Sequence, residues 1–260
     1  MAQSATVQTE KVDQAAQLLV DARRSGKPLS SLPESCRPND VDSALAIQDR
    51  VVQLFGQQVG GYKCGVPSAK WAVMMAPVFA PSIYRSSPVA VRGEKGRIEP
   101  EIAFVLNRDL PSRAEPYTDA EIKAAIGQAM FVLELIGCRY VDVAGVSYFE
   151  MLADSFNNFG MFVGIPVANV FDLPLESMHV TVTTPTETLI DRVGSHPSGH
   201  PFNALSWFVK YLNGRGKGLT AGQVITTGSY AGIVEVPLNT PVKITLGNLG
   251  TLALELIPAN

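Results

Sequence analysis

No stretch of the sequence approaches the roughly 18 consecutive apolar residues of a membrane span, because Glu, Gly or Pro interrupts every long hydrophobic run. The opening residues, MAQSATVQTEKVDQ, lack the apolar core of a secretory leader, so no leader is expected. Cysteine is scarce: Cys36, Cys64 and Cys138 are widely spaced and form no CxxC pair. That excludes a zinc knuckle or dithiol redox motif and suits reduced thiols in a cytoplasmic protein. Charge is scarce as well, at 17% of residues against about 25% in a typical domain. The net charge of −3, without runs of one sign, excludes general nucleic-acid binding. Neither GxGxxG nor GxxxxGKS/T occurs, and there is no Ser-His-Asp or Cys-His signature.

What is present is apolar. Hydrophobic residues make up 46% of 260, enough to bury a sizeable core in one large domain or two small ones. Ala15, Leu18, Leu19 and Ala22 fall at helical spacing within 12–23, and Leu45, Ile47, Val51, Val52 and Phe55 suit a second helix. Asp42 or Ser43 is its expected cap, and Gly60–Gly61 the expected end of this helical layer. From Gly61 the texture changes to short β-like runs punctuated by Gly and Pro. Strands are expected over Ile98–Leu106, Ala129–Tyr140, Met161–Gly164, His179–Thr184 and Gln223–Thr227. A closing hairpin, Val242–Leu246 with Thr251–Ile257, turns at Gly247–Asn248. Helices are expected over Thr118–Ala125 and Asn203–Leu212, the latter capped by Asn203. Helices first and strands after predict an α+β fold with a mixed or antiparallel sheet, not a doubly wound one.

The most informative segment is Ile98–Glu99–Pro100–Glu101–Ile102. Residues two apart on a strand share a face, so Glu99 and Glu101 point together while Ile98, Pro100 and Ile102 point away. Two carboxylates on one face repel unless a cation or a proton intervenes. Pro100 has no ladder N–H to donate, which places the strand at an edge or a mouth. Glu134 is the lone charge between Ala129 and Gly137, and a buried lone charge needs a partner. Three converging carboxylates suit a hard cation such as Mg²⁺ or Mn²⁺. On spacing alone, a solvated sheet face for the Glu99–Glu101 pair and an Arg139 partner for Glu134 stay open.

Lys63 lies in a glycine-flanked run, Gly60–Gly65, where it can neutralise carboxylates, shuttle a proton or simply be solvated. Cys64 beside it is a candidate to line the same site. Asp154–Ser155–Phe156–Asn157–Asn158 is a polar island that reads as a turn or a site loop. His200 is a candidate acid/base or a loop hydrogen-bonder. Thr226–Thr227–Gly228–Ser229 ends a strand with hydroxyls and amides able to hold a carboxylate.

Taken in order, AIQDR (46–50), GYKCG (61–65), EPEIAFVL (99–106), LELIGCRY (133–140), LADSFNN (152–158) and GHPFNALSWF through TTGS (199–229) resemble the 2-oxopent-4-enoate hydratase family of the fumarylacetoacetate hydrolase superfamily. The resemblance implies a mixed β-sandwich or roll, with a helical N-terminal region over 1–75 packed on a β-rich catalytic core over 76–260. It implies metal ligands at Glu99, Glu101 and Glu134, Mg²⁺ or Mn²⁺ as cofactor and an active-site Lys63. Substrate contacts are expected at Asp154, Ser155, His200, Thr227 and Ser229. The implied reaction adds water to a 2-hydroxyalka-2,4-dienoate to give a 4-hydroxy-2-oxo acid, in aromatic-compound catabolism. The implied setting is a cytoplasmic homo-oligomer, in some cases complexed with a decarboxylase or aldolase of the pathway. Two segments depart from the family pattern. Ala76–Pro81 lacks the usual acidic residue near Phe79, and the usual Asp-Asn pair reads Asp154–Ser155. Both leave decarboxylation of a 2-oxo-3-enedioate and C–C hydrolysis of an acylpyruvate open as alternatives. A non-catalytic partner subunit is the alternative of another class.

Overall fold

The computed structural model describes residues 2–259, with side chains from Gln8 onward; Met1, at the head of the expected helical region, lies outside them. In chain order the elements are α1 (Ala2–Ser25), α2 (Val41–Phe55), β1 (Val59–Gly65), β2 (Met74–Phe79), β3 (Ile83–Tyr84), β4 (Val89–Val91), β5 (Gly96–Leu106), α3 (Asp119–Ala124), β6 (Ile126–Ile136), α4 (Tyr148–Ala153), β7 (Asn158–Val167), β8 (Ser177–Thr183), β9 (Thr188–Ser195), α5 (Pro201–Gly214), β10 (Val224–Ser229), β11 (Val234–Val236), β12 (Pro241–Leu246) and β13 (Gly250–Pro258). The strands build an eight-stranded sheet in the order β2-β1-β10-β5-β6-β7-β3, with β11 also paired to β5, and a five-stranded sheet, β4-β13-β12-β8-β9. This is the α+β, mixed-sheet architecture expected from the sequence.

The helical layer ends sooner than residue 75. Gly56 closes α2 in the left-handed conformation (φ 70°), and β1 and β2 already belong to the large sheet. The cap of α2 is Asp40, whose carboxylate accepts from the Ser43 amide, so Ser43 completes a capping box instead of starting the helix. α5 likewise begins two residues earlier than expected, at Pro201, and is capped by His200 and not by Asn203. The exposed β9 was not anticipated, because its polar and apolar residues do not alternate cleanly.

Of the edge or mouth expected from Pro100, the edge does not hold, because β5 is central, while the flanking Glu99 and Glu101 line a cavity. β5 pairs with β6 on one side and with β10 and β11 in succession on the other. Pro100 falls at the break between those two strands, after the Ser229↔Glu101 pair and before Val234↔Ile98. A missing N–H costs no ladder bond there.

The alternation along β5 and β6 separates two faces. Ile98, Ile102, Phe104, Phe131, Leu133 and Leu135 are fully buried in the main core, together with Leu205 and Phe208 of α5. Each contributes about 1.5–3 kcal/mol of burial. The opposite face carries a smaller apolar cluster, including Ala103, Met130, Val132 and Val224, and ends in Glu99, Glu101 and Glu134.

Candidate metal centre

The β5–β6 register places Glu99 directly opposite Glu134, and Glu101 two residues along the same face. One carboxylate oxygen from each lies within 4.8 Å of the others. Lys63 reaches this face through a third strand pairing. It stands opposite Thr226 in parallel β1–β10, and Thr226 stands opposite Ala103 in β5, whose side chain shares a face with Glu101. The β1–β10 approach depends on Gly61, where a Cβ would fall 2.1 Å from the Val224 carbonyl oxygen.

The hydrogen bonds of the three carboxylates are unequal. Glu101 is 2% exposed. Its Oε2 accepts from the Thr226 hydroxyl in a very short bond and from the Gly228 amide at 2.8 Å. Gly228 has φ 117°, a conformation L residues rarely adopt, and this turns its amide to the carboxylate. Glu134 is fully buried, and its Oε1 accepts from Lys63 Nζ at 2.8 Å and Asn158 Nδ2 at 2.9 Å. Its Oε2 has no hydrogen-bond partner among the described residues. Lys63 Nζ also donates to the Phe156 carbonyl at 3.2 Å.

The electrostatics record a shortage of positive charge. Burial, and then the Glu134 charge, push the Glu99 carboxyl up to about 7, with Lys63 pulling the other way. Burial, Glu134 and Glu99 push Glu101 up to about 8, against the Thr226 hydrogen bond and Lys63. Burial pulls Lys63 down, but the surrounding Glu134, Glu99 and Glu101 charges outweigh it, so the ammonium titrates above the ordinary lysine value. A buried carboxylate oxygen without a donor, within reach of two further carboxylates, is the environment a hard divalent cation satisfies. The residues present fit such an ion.

These groups open into a cavity of about 180 Å³, lined otherwise by Cys64, Met74, Pro197, Gly228, Ser229 and Gly232. A larger cavity of about 620 Å³ is lined by Arg97, two residues before Glu99, and by Ile136, two residues after Glu134. Volume alone does not mark a site, and the converging carboxylates are in the smaller one.

The expected site residues divide into two groups. Glu99, Glu101, Glu134, Lys63 and Ser229 face the 180 Å³ cavity, as does Cys64. Asp154, Ser155, His200 and Thr227 do not line it. Asp154 is 2% exposed and holds Arg139 through Oδ1 at 2.6 Å, so Arg139 is not the partner of Glu134. Ser155 is buried, and its hydroxyl lies 3.4 Å from Arg23. His200 caps α5 by accepting from the Phe202 amide and stacks on Phe171. The Thr227 hydroxyl donates to the Ile102 carbonyl. Strand alternation puts its neighbours Thr226 and Gly228 on the carboxylate side instead. Those two, with Phe156 and Asn158, belong to the runs 226–229 and 154–158 that the sequence singles out, but it does not pick them individually as site residues. Alternation would have found Thr226 had the β10–β5 register been known.

No protein-family model matches the chain. It is similar to the 2-keto-4-pentenoate hydratase of Paraburkholderia xenovorans, with 27% identity over 256 residues and 94% of each chain covered. Among solved structures, 4-oxalocrotonate decarboxylase from Pseudomonas putida, complexed with magnesium and adipate, superposes with a TM-score of 0.78 at 18% identity, over 96% of this chain and 98% of that one. A yeast protein of the fumarylacetoacetate hydrolase family gives a TM-score of 0.53 at 16% identity, over 76% and 92%.

Proposed function

We propose, for a chain similar along nearly its whole length to the 2-keto-4-pentenoate hydratases and folded like the fumarylacetoacetate hydrolase superfamily, that it is a hydro-lyase adding water to a 2-hydroxyalka-2,4-dienoate. The product is a 4-hydroxy-2-oxo acid, and the reaction belongs to aromatic-compound catabolism. The observation that carries this reading is the convergence of Glu99, Glu101, Glu134 and Lys63 on one small cavity.

In this reading Glu99, Glu101 and Glu134 hold Mg²⁺ or Mn²⁺. The bound cation supplies electrostatic stabilisation for negative charge developing on the substrate's C2 oxygen. The chain's own groups do the rest. Lys63, which the three carboxylates hold above the ordinary lysine value when no cation offsets their charge, donates to the substrate or draws its carboxylate in. The Phe156 carbonyl and Glu134 fix the direction of that ammonium. Ser229 offers a hydroxyl at the cavity wall. The dienol moves its hydroxyl proton to C5, giving a 2-oxo-3-enoate; water then adds its oxygen at C4 and a proton at C3. A cavity of about 180 Å³ is small against the ~300–1,000 Å³ of pockets for drug-sized ligands, in keeping with a short acid. A cytoplasmic homo-oligomer, working with a decarboxylase or aldolase of the same route, completes the reading.

Decarboxylation of a 2-oxo-3-enedioate is the second reading, favoured by the likeness to the decarboxylase structure. Product analysis separates the two. Purified protein with Mg²⁺ or Mn²⁺ is expected to convert 2-hydroxypenta-2,4-dienoate to a product one water heavier. Release of CO₂ from an enedioate, with no hydration of any dienoate, overturns the hydratase. Full activity of Glu101→Gln after exhaustive chelation overturns the metal mechanism.

A further inference from the structure

Three consecutive non-glycine residues adopt left-handed backbone conformations: Ser155 (φ 60°), Phe156 (φ 48°) and Asn157 (φ 63°). L residues avoid this region, so surrounding contacts must hold the turn. The Gly137 amide donates to the Asn157 carbonyl at 2.9 Å, Arg23 reaches the Ser155 hydroxyl, and the Phe156 ring packs edge-on against Trp71 and Tyr148. The two flanking residues, 154 and 158, are held by one buried side chain. Arg139, 3% exposed, donates from Nε to Asp154 Oδ1 (2.6 Å), from Nη2 to the Asp154 carbonyl (2.6 Å) and from Nη1 to the Asn158 carbonyl (2.8 Å). Its backbone amide donates to Asp154 Oδ2 at 2.9 Å. One arginine thus grips both ends of the turn.

The turn in turn presents two groups to the site. Between its gripped ends, the Phe156 carbonyl accepts from Lys63 Nζ. At the far end, the Asn158 amide donates to Glu134 Oε1. We infer that the Arg139–Asp154 pair is a positioning device for the reaction: it holds residues 154–158 in the left-handed turn that aims Lys63 and Glu134. Neither member lines the 180 Å³ cavity, so both act through other residues. The inference rests on Lys63 and Glu134 being the working groups proposed above.

The chemistry of the pair explains why an arginine is needed. Three nitrogens in a planar fork reach three acceptors at once, a geometry an ammonium cannot reproduce. Charge alone is already available from the other side: Arg23 of α1 brings Nη2 to 3.9 Å from Asp154 Oδ1 and stacks over the Phe79 ring at 5.3 Å. Asp154 therefore keeps a cationic neighbour when Arg139 is replaced, but the Asn158 carbonyl loses its donor.

The test compares Arg139→Lys with Arg139→Ala. In folded Arg139→Lys, kcat is expected to fall about 10- to 100-fold with KM nearly unchanged, and Mn²⁺ affinity, read by calorimetry without substrate, to fall about 10-fold. In Arg139→Ala, added guanidinium should restore part of both losses, and urea, which has the shape without the charge, should restore neither. Wild-type kcat and Mn²⁺ affinity in Arg139→Lys overturn the inference, because a pair needed only for charge or packing tolerates lysine. Failure of Arg139→Ala to fold leaves Arg139→Lys to decide. If the wild-type protein hydrates no dienoate, the proposed function fails by itself, and the Mn²⁺ comparison still tests the positioning.

Discussion

Chelator-treated protein should become less stable as the pH rises from 6.5 to 8.5. Glu101 ionises near 4.3 in an unfolded chain but is pushed up to about 8 in the fold. A carboxyl raised by folding gives stability that is complete below the unfolded pKa and lost as the pH climbs through the folded one. Between pH 6.5 and 8 the fold keeps a proton that the unfolded chain has released. About 1.5 pH units at 1.36 kcal/mol each amount to about 2 kcal/mol. In a domain of this size that is about 4–8 °C in Tm. Glu99, raised to about 7, adds to the same slope at its lower end. His196 acts in the opposite sense: burial lowers it to about 4, so its contribution is lost as the pH falls below the ordinary histidine range, mostly outside this window. The assay is differential scanning calorimetry at pH 6.5, 7.5 and 8.5, in chelator and in excess Mg²⁺ or Mn²⁺. The metal-loaded sample should gain most over the chelated one at pH 8.5, where protons no longer compete for the carboxylates. A flat or rising Tm in chelator, or the same slope in Glu101→Gln, refutes the reasoning.

Three further outcomes are expected. Lys63→Met should lower kcat by about 10²–10⁴-fold if Lys63 donates to the reacting substrate, as measured by steady-state kinetics with saturating metal. Phe131→Ala removes a fully buried ring from the sheet and should cost about 3–5 kcal/mol in urea unfolding. Gly61→Ala places a methyl against the Val224 carbonyl; loss of activity together with a lower Tm is expected, and an unchanged Tm contradicts the close β1–β10 contact.

The triad was legible because its logic is local. Alternation alone puts Glu99 and Glu101 on one face, and a lone Glu134 in an apolar run announces a partner. Their convergence needed the β5–β6 register, which the sequence did not supply. Lys63 could be suspected from its glycine-rich setting, but its reach to Glu134 depends on β1 pairing with a strand more than 150 residues later. Nonlocal information also explains what the local sequence left open. Pro100 signals a missing ladder bond, and an edge strand is the common way to accommodate one; here the break between β10 and β11 does so. The polar island 154–158 itself reads as a turn or a site loop, while Asp154 is expected at the substrate from the family resemblance. What hides its other role is Arg139, which lies next to the apolar run of β6 and gives no local sign that it faces residue 154. A run of three left-handed residues has no sequence signature when none of them is glycine.

The strand order also dictates when the centre can be completed during synthesis. β5 and β6 are adjacent antiparallel strands and can pair once residue 136 is available, bringing the three glutamates together. β1 was made earlier, yet its only route to β5 in the sheet runs through β10. A nascent chain ending before residue 224 therefore carries the acidic cluster without the strand that docks its lysine.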